Sequence, residues 1–342
     1  MSVAQVNIEI EQQARAHQDS LTKPRGALGR LENVACWFAA RQGKVNPTPL
    51  RPHITVFAGD HGVCEEGVSA YPSVVTGEMV KNFAAGGAAI NVLARQCGAS
   101  MSIVNVGVLT DILDVLGVVQ AQVSGGTANL LYQAAMTKDE CQAAMEVGRS
   151  QAKEAVNKGA NLLIAGDMGI GNTTASACLI CKLTGATPEA VVGIGTGVDR
   201  EGQQRKVAVV GKALFRVETI KQQEILQQLG GLEIAAMVGF YLQAAEMGVP
   251  VVIDGFIASA AALAARTIEP EVAHWMLASH VSFETGHALA LDALGLVALV
   301  DFKMRLGEGS GAALVVPLIN SAIALHNEMA TFESAQVSHK NG

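Results

Sequence analysis

Residues 161–174 read NLLIAGDMGIGNTT. The apolar run 161–165 is typical of a buried strand, and the Ala-rich segment that begins at Asn172 is typical of a helix. Glycines between them free backbone N–H groups, which together with the helix start can bind an anion such as phosphate. A tight turn without a ligand has the same pattern, so both interpretations stay open.

The same alternation of strand and helix runs outward from this segment. Strand-type runs occur at 53–58, 101–106, 161–165, 190–194 and 249–253. With Ala-rich helical segments between them, they predict an α/β protein, a mostly parallel sheet with helices on both faces. Ligands bind such sheets outside the carboxyl ends of the strands. We therefore expect the loops that begin at Gly59, Gly166, Gly195 and Asp254 to converge.

Both ends of the chain lack this alternation of strand and helix, and their sequence patterns are helical. We expect a large α/β domain at 51–299 and a smaller helical domain built from both termini, 1–50 and 300–342. The residues from about Glu333 are polar and typical of a frayed tail.

Composition argues against several classes of protein. The 342 residues carry a net charge of −7 without a basic stripe, so we expect no nucleic-acid partner. The N-terminus has no apolar signal segment, and the apolar stretches 256–265 and 288–300 are shorter or more interrupted than the roughly 20 residues that span a bilayer. We expect a cytoplasmic protein with no membrane partner.

No strong metal-binding pattern is present in the sequence. His61 lacks a nearby HxH or HxxxH partner, which favours a structural hydrogen bond over a ligand role. Cys178 and Cys181 form a CxxC pair inside a helical segment without a second pair, which favours packing. We expect no metal and no cofactor.

One carboxylate near the C-terminus stands among glycines. Residues 305–313 read RLGEGSGAA, so Glu308 lies between two glycines and before an apolar run. The glycines permit positive φ and close approach of a ligand, while partial burial raises a carboxyl pKa toward the range of a general base. A glutamate with its charge in water is the ordinary alternative.

Known nucleotide-binding motifs separate the wider alternatives. The turn at 166–174 matches neither GxxxxGK[ST], which disfavours a Walker-type triphosphatase, nor GxGxxG, which weakens a nicotinamide-dependent oxidoreductase. A non-catalytic nucleotide-binding protein stays open as a further alternative. Lys206 lies in a charged stretch, which by pattern alone is typical of a solvated helix face.

Several motifs, taken in order, resemble those of one enzyme family. They are KPRGALGRLE (23–32), DHGV (60–63), EGV (66–68), GTAN (126–129), GDMGIGNTT (166–174), GIGTG (193–197), DGF (254–256), SH (279–280) and RLGEGSGAAL (305–314). The chain resembles the nicotinate-nucleotide:5,6-dimethylbenzimidazole phosphoribosyltransferases, which make α-ribazole 5′-phosphate for the lower ligand of cobalamin. The resemblance spans nearly the whole chain. It implies a Rossmann-like sheet with a small helical domain, a homodimer, and nicotinate mononucleotide and 5,6-dimethylbenzimidazole or a related base as substrates.

The resemblance also implies roles for individual residues. Glu308 is the expected catalytic base, and Lys206 matches the family's lysine after the glycine segment. Relatives commonly have Glu where this chain has Asp167, whose side chain is about one methylene shorter. The substrate-binding residues that it implies are Tyr71, Met79, Asp167, Met168, Gly169, Gly171, Asn172, Thr173, Gly195, Lys206, Asp254, Gly255, Phe256, Ser279, Leu306, Gly307, Gly309 and Ser310.

The chemistry of this reaction suits these residues. The glycosidic nitrogen of nicotinate mononucleotide is cationic, so nicotinate departs without needing a proton or a metal. Attack by one benzimidazole nitrogen at C1′ creates a cation unless the other nitrogen loses its proton. A carboxylate within about 2.6–3.2 Å can accept that proton, and Glu308 is the residue we expect to do so.

Overall fold

A single six-stranded sheet organises the computed structural model, which describes residues 2–193, 195, 197 and 199–338. All its neighbouring strands pair in parallel. The strands are β1 Pro52–Gly59, β2 Ser100–Gly107, β3 Val118–Gln120, β4 Leu162–Met168, β5 Val251–Ile253 and β6 Met276–Ala278. Their order across the sheet is β3-β2-β1-β4-β5-β6. This is the order of the Rossmann fold, whose ligand crevice lies where the order reverses, between β1 and β4. The expected α/β class is confirmed.

Helices cover both faces of this sheet. The α-helices are α1 Ile8–Ser20, α2 Arg30–Gln42, α3 Val74–Ala85, α4 Ala89–Cys97, α5 Lys138–Asn157, α6 Asn172–Thr184, α7 Pro188–Val191, α8 Arg200–Arg216, α9 Ile225–Leu229, α10 Leu232–Glu246, α11 Phe256–Ile268, α12 His287–Leu294 and α13 Ser310–Glu328. Short 3₁₀ helices occupy Gly62–Glu66, Gln222–Glu224 and Pro270–Trp275. Since side chains alternate along a strand, Phe57 of β1 faces the core with α5, α6, α10 and α11. Its neighbour Val56 faces the core with α2, α3, α4 and α13.

Four of the five predicted strands are confirmed, and the strand at 190–194 is wrong. Ala190 and Val191 belong to the short helix α7, while Ile194 lies outside the described residues. Pro188 favours the first turn of a helix, where its fixed φ and missing N–H cost nothing. Val191 is buried in the core without joining the sheet. The apolar pattern alone did not predict β3 and β6, which have three residues each.

Helices from the two ends of the chain lie together. Leu21 and Thr331 form an antiparallel bridge, and Nε2 of Gln18 lies 2.8 Å from Nδ1 of His326. Helices α2 and α13 also bury Phe38 and Val316 on one face of the sheet. The division into domains at 51–299 and at 1–50 with 300–342 stays a prediction.

Helix α13 is the described helix whose length and composition would suit a membrane span. Of the residues in its apolar 18-residue window, 56% are buried inside the protein, and the helix packs against α2 and α4. We therefore interpret α13 as a core helix. Its first residue, Ser310, follows Glu308 by two positions, so the packing of α13 also fixes the position of that carboxylate.

Candidate active site at the carboxyl edge of the sheet

A cleft of about 400 Å³ opens at the carboxyl ends of β4, β5 and β6. Its walls come from the turn after β4, the loops after β5 and β6, helix α3 and the segment before α13. This volume is in the range of small-molecule sites. The predicted residues that line it are Tyr71, Met79, Asp167, Met168, Gly169, Asn172, Thr173, Gly195, Asp254, Gly255, Phe256, Leu306, Gly307 and Glu308.

Five predicted residues do not line the cleft, namely Gly171, Lys206, Ser279, Gly309 and Ser310. Gly171 has φ +97°, and a Cβ there would lie 2.6 Å from Sγ of Cys64. A larger residue at this position would strain the backbone and clash with Cys64, on the side of the turn away from the cleft. A variant such as Gly171→Val would therefore disturb the fold rather than test how closely a ligand approaches the turn. Ser279 donates to the carbonyl of Asp254 and so supports the loop after β5.

Glu308 sits in an unusual backbone conformation at the floor of the cleft. Its φ is +64°, and Gly307 and Gly309 on either side have φ +83° and +86°. Such positive φ is uncommon for a residue with a Cβ and is found where the surrounding structure holds it in place. The backbone of Glu308 also packs closely against Gly166 of β4. Any larger residue at position 166 would prevent this, because a Cβ there would lie 2.1 Å from the carbonyl oxygen of Glu308.

The carboxylate of Glu308 is 5% exposed, which contradicts the alternative of a solvated glutamate. Its Oε2 accepts a hydrogen bond from the N–H of Ile90 at 3.4 Å, in the first turn of α4. Burial raises its pKa above the ordinary value, the Ile90 N–H lowers it, and the charge of Asp254 raises it further. The side chain therefore has the partial burial expected of a general base.

Two more carboxyl groups lie beside Glu308. Asp254 is 1% exposed and accepts from the N–H of Ala312 at 2.9 Å, so it caps the start of α13. Burial raises the pKa of Asp254 to about 7. Asp167 accepts from Nδ2 of Asn172 at 3.0 Å. Burial and the neighbouring carboxylates, Asp254 first, raise the pKa of Asp167 well above its usual range.

Two basic groups lie at Gly195, a residue of the cleft wall. Lys206 is 1% exposed, which contradicts the solvated helix face, and its Nζ donates to Oγ1 of Thr173 at 2.6 Å. Burial lowers the pKa of Lys206 to about 8. Arg305 lines the cleft and donates to the carbonyl of Gly195 at 2.9 Å. Thr173 also lies in the first turn of α6, whose backbone N–H groups favour an anion.

His61 makes the structural hydrogen bond that its isolation in the sequence favours. Its Nε2 lies 2.6 Å from Oε1 of Glu233, and both side chains are fully buried. The pair lies behind the turn after β4, since a Cβ on Gly169 would lie 3.0 Å from Glu233. Glu233 was not predicted, because it sits in the apolar helix α10 without a motif of its own.

Sequence reasoning also missed several residues of the cleft wall. Arg305 belongs to the quoted glycine segment but received no role. His280 and Ser282 follow β6, which the apolar pattern did not predict. The lining residues absent from the predicted set are Val75, Ile170, Ile257, His280, Ser282, Glu284 and Arg305.

Known proteins match this chain over nearly its full length. A family model described as phosphoribosyltransferase matches residues 3–337. The chain is 59% identical to the nicotinate-nucleotide–dimethylbenzimidazole phosphoribosyltransferase of Chromobacterium violaceum, over 98% of each protein. It is 48% identical to the enzyme of the same name from Pseudomonas aeruginosa, over 97% of this chain and 95% of that one.

A solved structure agrees with this match. The crystal structure of CobT from Thermus thermophilus superposes with a TM-score of 0.94 at 47% identity, over 97% of this chain and 100% of that one. The segments that form the cleft therefore lie within the part of the chain that these relatives match. This protein belongs to the nicotinate-nucleotide–dimethylbenzimidazole phosphoribosyltransferase family of pentosyltransferases.

Proposed function

We propose that this protein transfers the 5-phosphoribosyl group of nicotinate mononucleotide to 5,6-dimethylbenzimidazole. The products are nicotinate and α-ribazole 5′-phosphate, the precursor of the cobalamin lower ligand. The observation that carries this proposal is the shared cleft, where the buried carboxylate of Glu308 and the guanidinium of Arg305 line one ligand-sized volume and buried Lys206 donates to Thr173 in its wall. A carboxylate and an anion site are what this transfer requires.

Glu308 acts as the general base in this proposal. One nitrogen of the benzimidazole attacks C1′ while the other gives its proton to the Glu308 carboxylate, so that no cation accumulates on the incoming base. The glycosidic bond to nicotinate breaks, and its electron pair neutralises the pyridinium nitrogen. Attack from the face opposite the leaving group converts the β-nucleotide to an α-riboside. This proposal includes no metal and no cofactor.

The remaining residues position the two substrates. Lys206, Thr173 and the first turn of α6 hold the phosphate. Asp254 lies next to Glu308, and its charge raises the pKa of Glu308, which makes Glu308 a stronger proton acceptor for the benzimidazole. Tyr71 and Met79, on the wall from α3 and the segment before it, contact the benzimidazole or a related base.

Exposed apolar side chains at the cleft support a homodimer. Tyr71 and Leu306 line the cleft and are 53% and 56% exposed. Phe283 and Phe302, in the neighbouring segments, are 57% and 60% exposed. A second copy of the chain would cover such a surface. Light scattering of the purified protein measures whether it is a homodimer.

The cysteines support a cytoplasmic location, because all six are free of disulfides.

A product assay tests the function directly. Purified protein is incubated with nicotinate mononucleotide and 5,6-dimethylbenzimidazole, and the product is identified by mass and by the anomeric proton coupling. We expect equal amounts of nicotinate and of the α-riboside phosphate. Product with the β configuration would contradict direct displacement, and absence of product would contradict the function.

We expect a bell-shaped dependence of kcat/KM on pH. On the acid side Glu308 must be ionised to accept a proton, and its raised pKa places the loss of activity above the usual range of a glutamate. On the alkaline side Lys206 must keep its proton to hold the phosphate, so activity falls as pH rises through about 8. The measurement is kcat/KM for the nucleotide across pH. An acid limb that is unchanged in Glu308→Asp would belong to the benzimidazole instead.

Lys206→Ala is expected to weaken nucleotide binding while leaving benzimidazole binding unchanged. Loss of a charge-assisted hydrogen bond should raise the Kd for nicotinate mononucleotide by about 10- to 100-fold. Calorimetric titration with each substrate measures both effects. Lys212→Ala is the matched control, because Lys212 lies on the same helix and is exposed. Equal nucleotide affinity in the Lys206 variant and the wild type would reject the phosphate site.

A further inference from the structure

Glu284 is a buried acid in the basic part of the cleft. It lines the cleft and is 7% exposed, and its Oε2 has no hydrogen-bond partner among the described residues. A Cβ on Gly193 would lie 2.2 Å from this oxygen, so the glycine loop leaves it room. A buried carboxylate oxygen without a partner is costly unless charges compensate it.

The compensating charges are those of the proposed phosphate site. Burial raises the pKa of Glu284 above its ordinary value, and the charges of Lys206 and Arg305 with the backbone N–H of Gly195 offset part of that rise. Glu284 in turn raises the pKa of Lys206, which burial lowers. The geometry places all three groups along one glycine loop: Arg305 donates to the carbonyl of Gly195 at 2.9 Å, and a Cβ on Gly195 would lie 2.9 Å from Nζ of Lys206.

Hydrogen bonds to His287 hold the loop that carries Glu284. The N–H of Ser282 donates to Nδ1 of His287 at 2.8 Å, and Nε2 of His287 lies 3.0 Å from Oγ of Ser259. Since Nδ1 accepts, Nε2 carries the proton and donates to Ser259. Burial lowers the pKa of His287 to about 3, which keeps the ring neutral and this arrangement intact. The N–H of Glu284 donates to Oγ of Ser282, which joins the acid to the same network.

We propose that Glu284 sets the phosphate affinity of this site, as a built-in anion beside Lys206 and Arg305 that competes with the phosphate of the substrate. The inference rests on the proposed function for the identity of the nucleotide. A phosphate dianion entering beside this carboxylate meets repulsion as well as attraction, so both nucleotide substrate and phosphorylated product bind less tightly than the two cations alone would allow. Uniformly tight binding would slow product release without accelerating the transfer.

Titration of a neutral variant tests this inference. Glu284→Gln keeps the volume but removes the charge, and we expect its Kd values for inorganic phosphate and for nicotinate mononucleotide to fall by about tenfold at pH 7. The Kd for 5,6-dimethylbenzimidazole, which has no phosphate, should not change. Glu189→Gln is the matched control, because Glu189 is exposed and does not line the cleft. The pH is kept below about 8 so that Lys206 stays protonated.

A gain of affinity confined to phosphate ligands would support the inference, since damage to the fold does not produce one. Unchanged or weaker phosphate binding in Glu284→Gln would overturn it. If the Gln variant does not fold, Glu284→Asp gives the same test, because its shorter carboxylate retreats from the cations and should also tighten phosphate binding. The arm with inorganic phosphate is independent of the nucleotide. A wild-type protein that makes no α-riboside would therefore reject the proposed function without deciding the role of Glu284.

Discussion

Glu308→Gln is expected to lower kcat by about 10²- to 10⁴-fold while substrate binding and folding are retained. The amide fills the volume of the carboxyl group but cannot take a proton from the benzimidazole. Positioning by the turn after β4 and by Lys206 is unaffected, so some turnover remains. Single-turnover kinetics with both substrates saturating isolates the chemical step from product release.

A matched variant lies at the other end of the same helix. Glu328→Gln removes an exposed carboxylate from the last turn of α13 and should leave kcat unchanged. Kd values and the thermal midpoint of Glu308→Gln are measured alongside, so that lost turnover is not confused with lost folding. Near-normal kcat in Glu308→Gln would remove Glu308 from the role of base. Lost binding of both substrates would instead make it a structural residue.

Glu233→Ala is expected to lower the free energy of unfolding by about 3–5 kcal/mol, the usual cost of breaking a buried ion pair by removing one partner. Both members of the pair are fully buried, and the 2.6 Å contact joins Oε1 of Glu233 to Nε2 of His61. Burial alone lowers the pKa of His61, but the charge and hydrogen bond of Glu233 raise it overall. Chemical denaturation measures the loss. An exposed pair gives the control, because Glu154→Ala at the Lys158 contact should cost under about 0.5 kcal/mol.

The sign of the pH dependence gives a second check on this pair. Because the folded pKa of His61 is raised, the stabilisation is complete below its unfolded value of about 6.5 and is lost as pH rises through the folded pKa. The difference in unfolding free energy between wild type and Glu233→Gln should therefore shrink at alkaline pH. Equal stability of the two proteins at acidic pH would show that the pair is not ionic.

The sequence predicts four of the strands well, because their apolar runs are joined to loops of polar and glycine residues. β1, β2, β4 and β5 follow from that pattern. The segment at 190–194 has the same apolar character, yet Pro188 starts a helical turn there and the chain bypasses the sheet. β3 and β6 are set by pairing with their neighbours rather than by a pattern of their own.

The candidate site is predictable where its residues stand at strand ends or among glycines. Asp167, Asp254 and Glu308 were found in this way. Glu233 was not, because its partner His61 is 172 residues away and only the folded chain joins them. Glu284 was missed for a related reason, since the cations that compensate it come from α8 and from the segment before α13.

The hydrogen bond between Ile90 and Glu308 joins residues 218 positions apart, and this separation bears on how the protein is made. A ribosome releases every strand of the sheet before it releases α13. Until then the nascent chain lacks the segment around Glu308, the proposed base, and the sheet face that includes Ile54, Val56, Ile164 and Val252 lacks the helix that completes its cover. Chains that end prematurely, even by a tenth of their length, would be inert and prone to aggregate. If Glu308 is the base, the last stage of synthesis completes both the active site and the core.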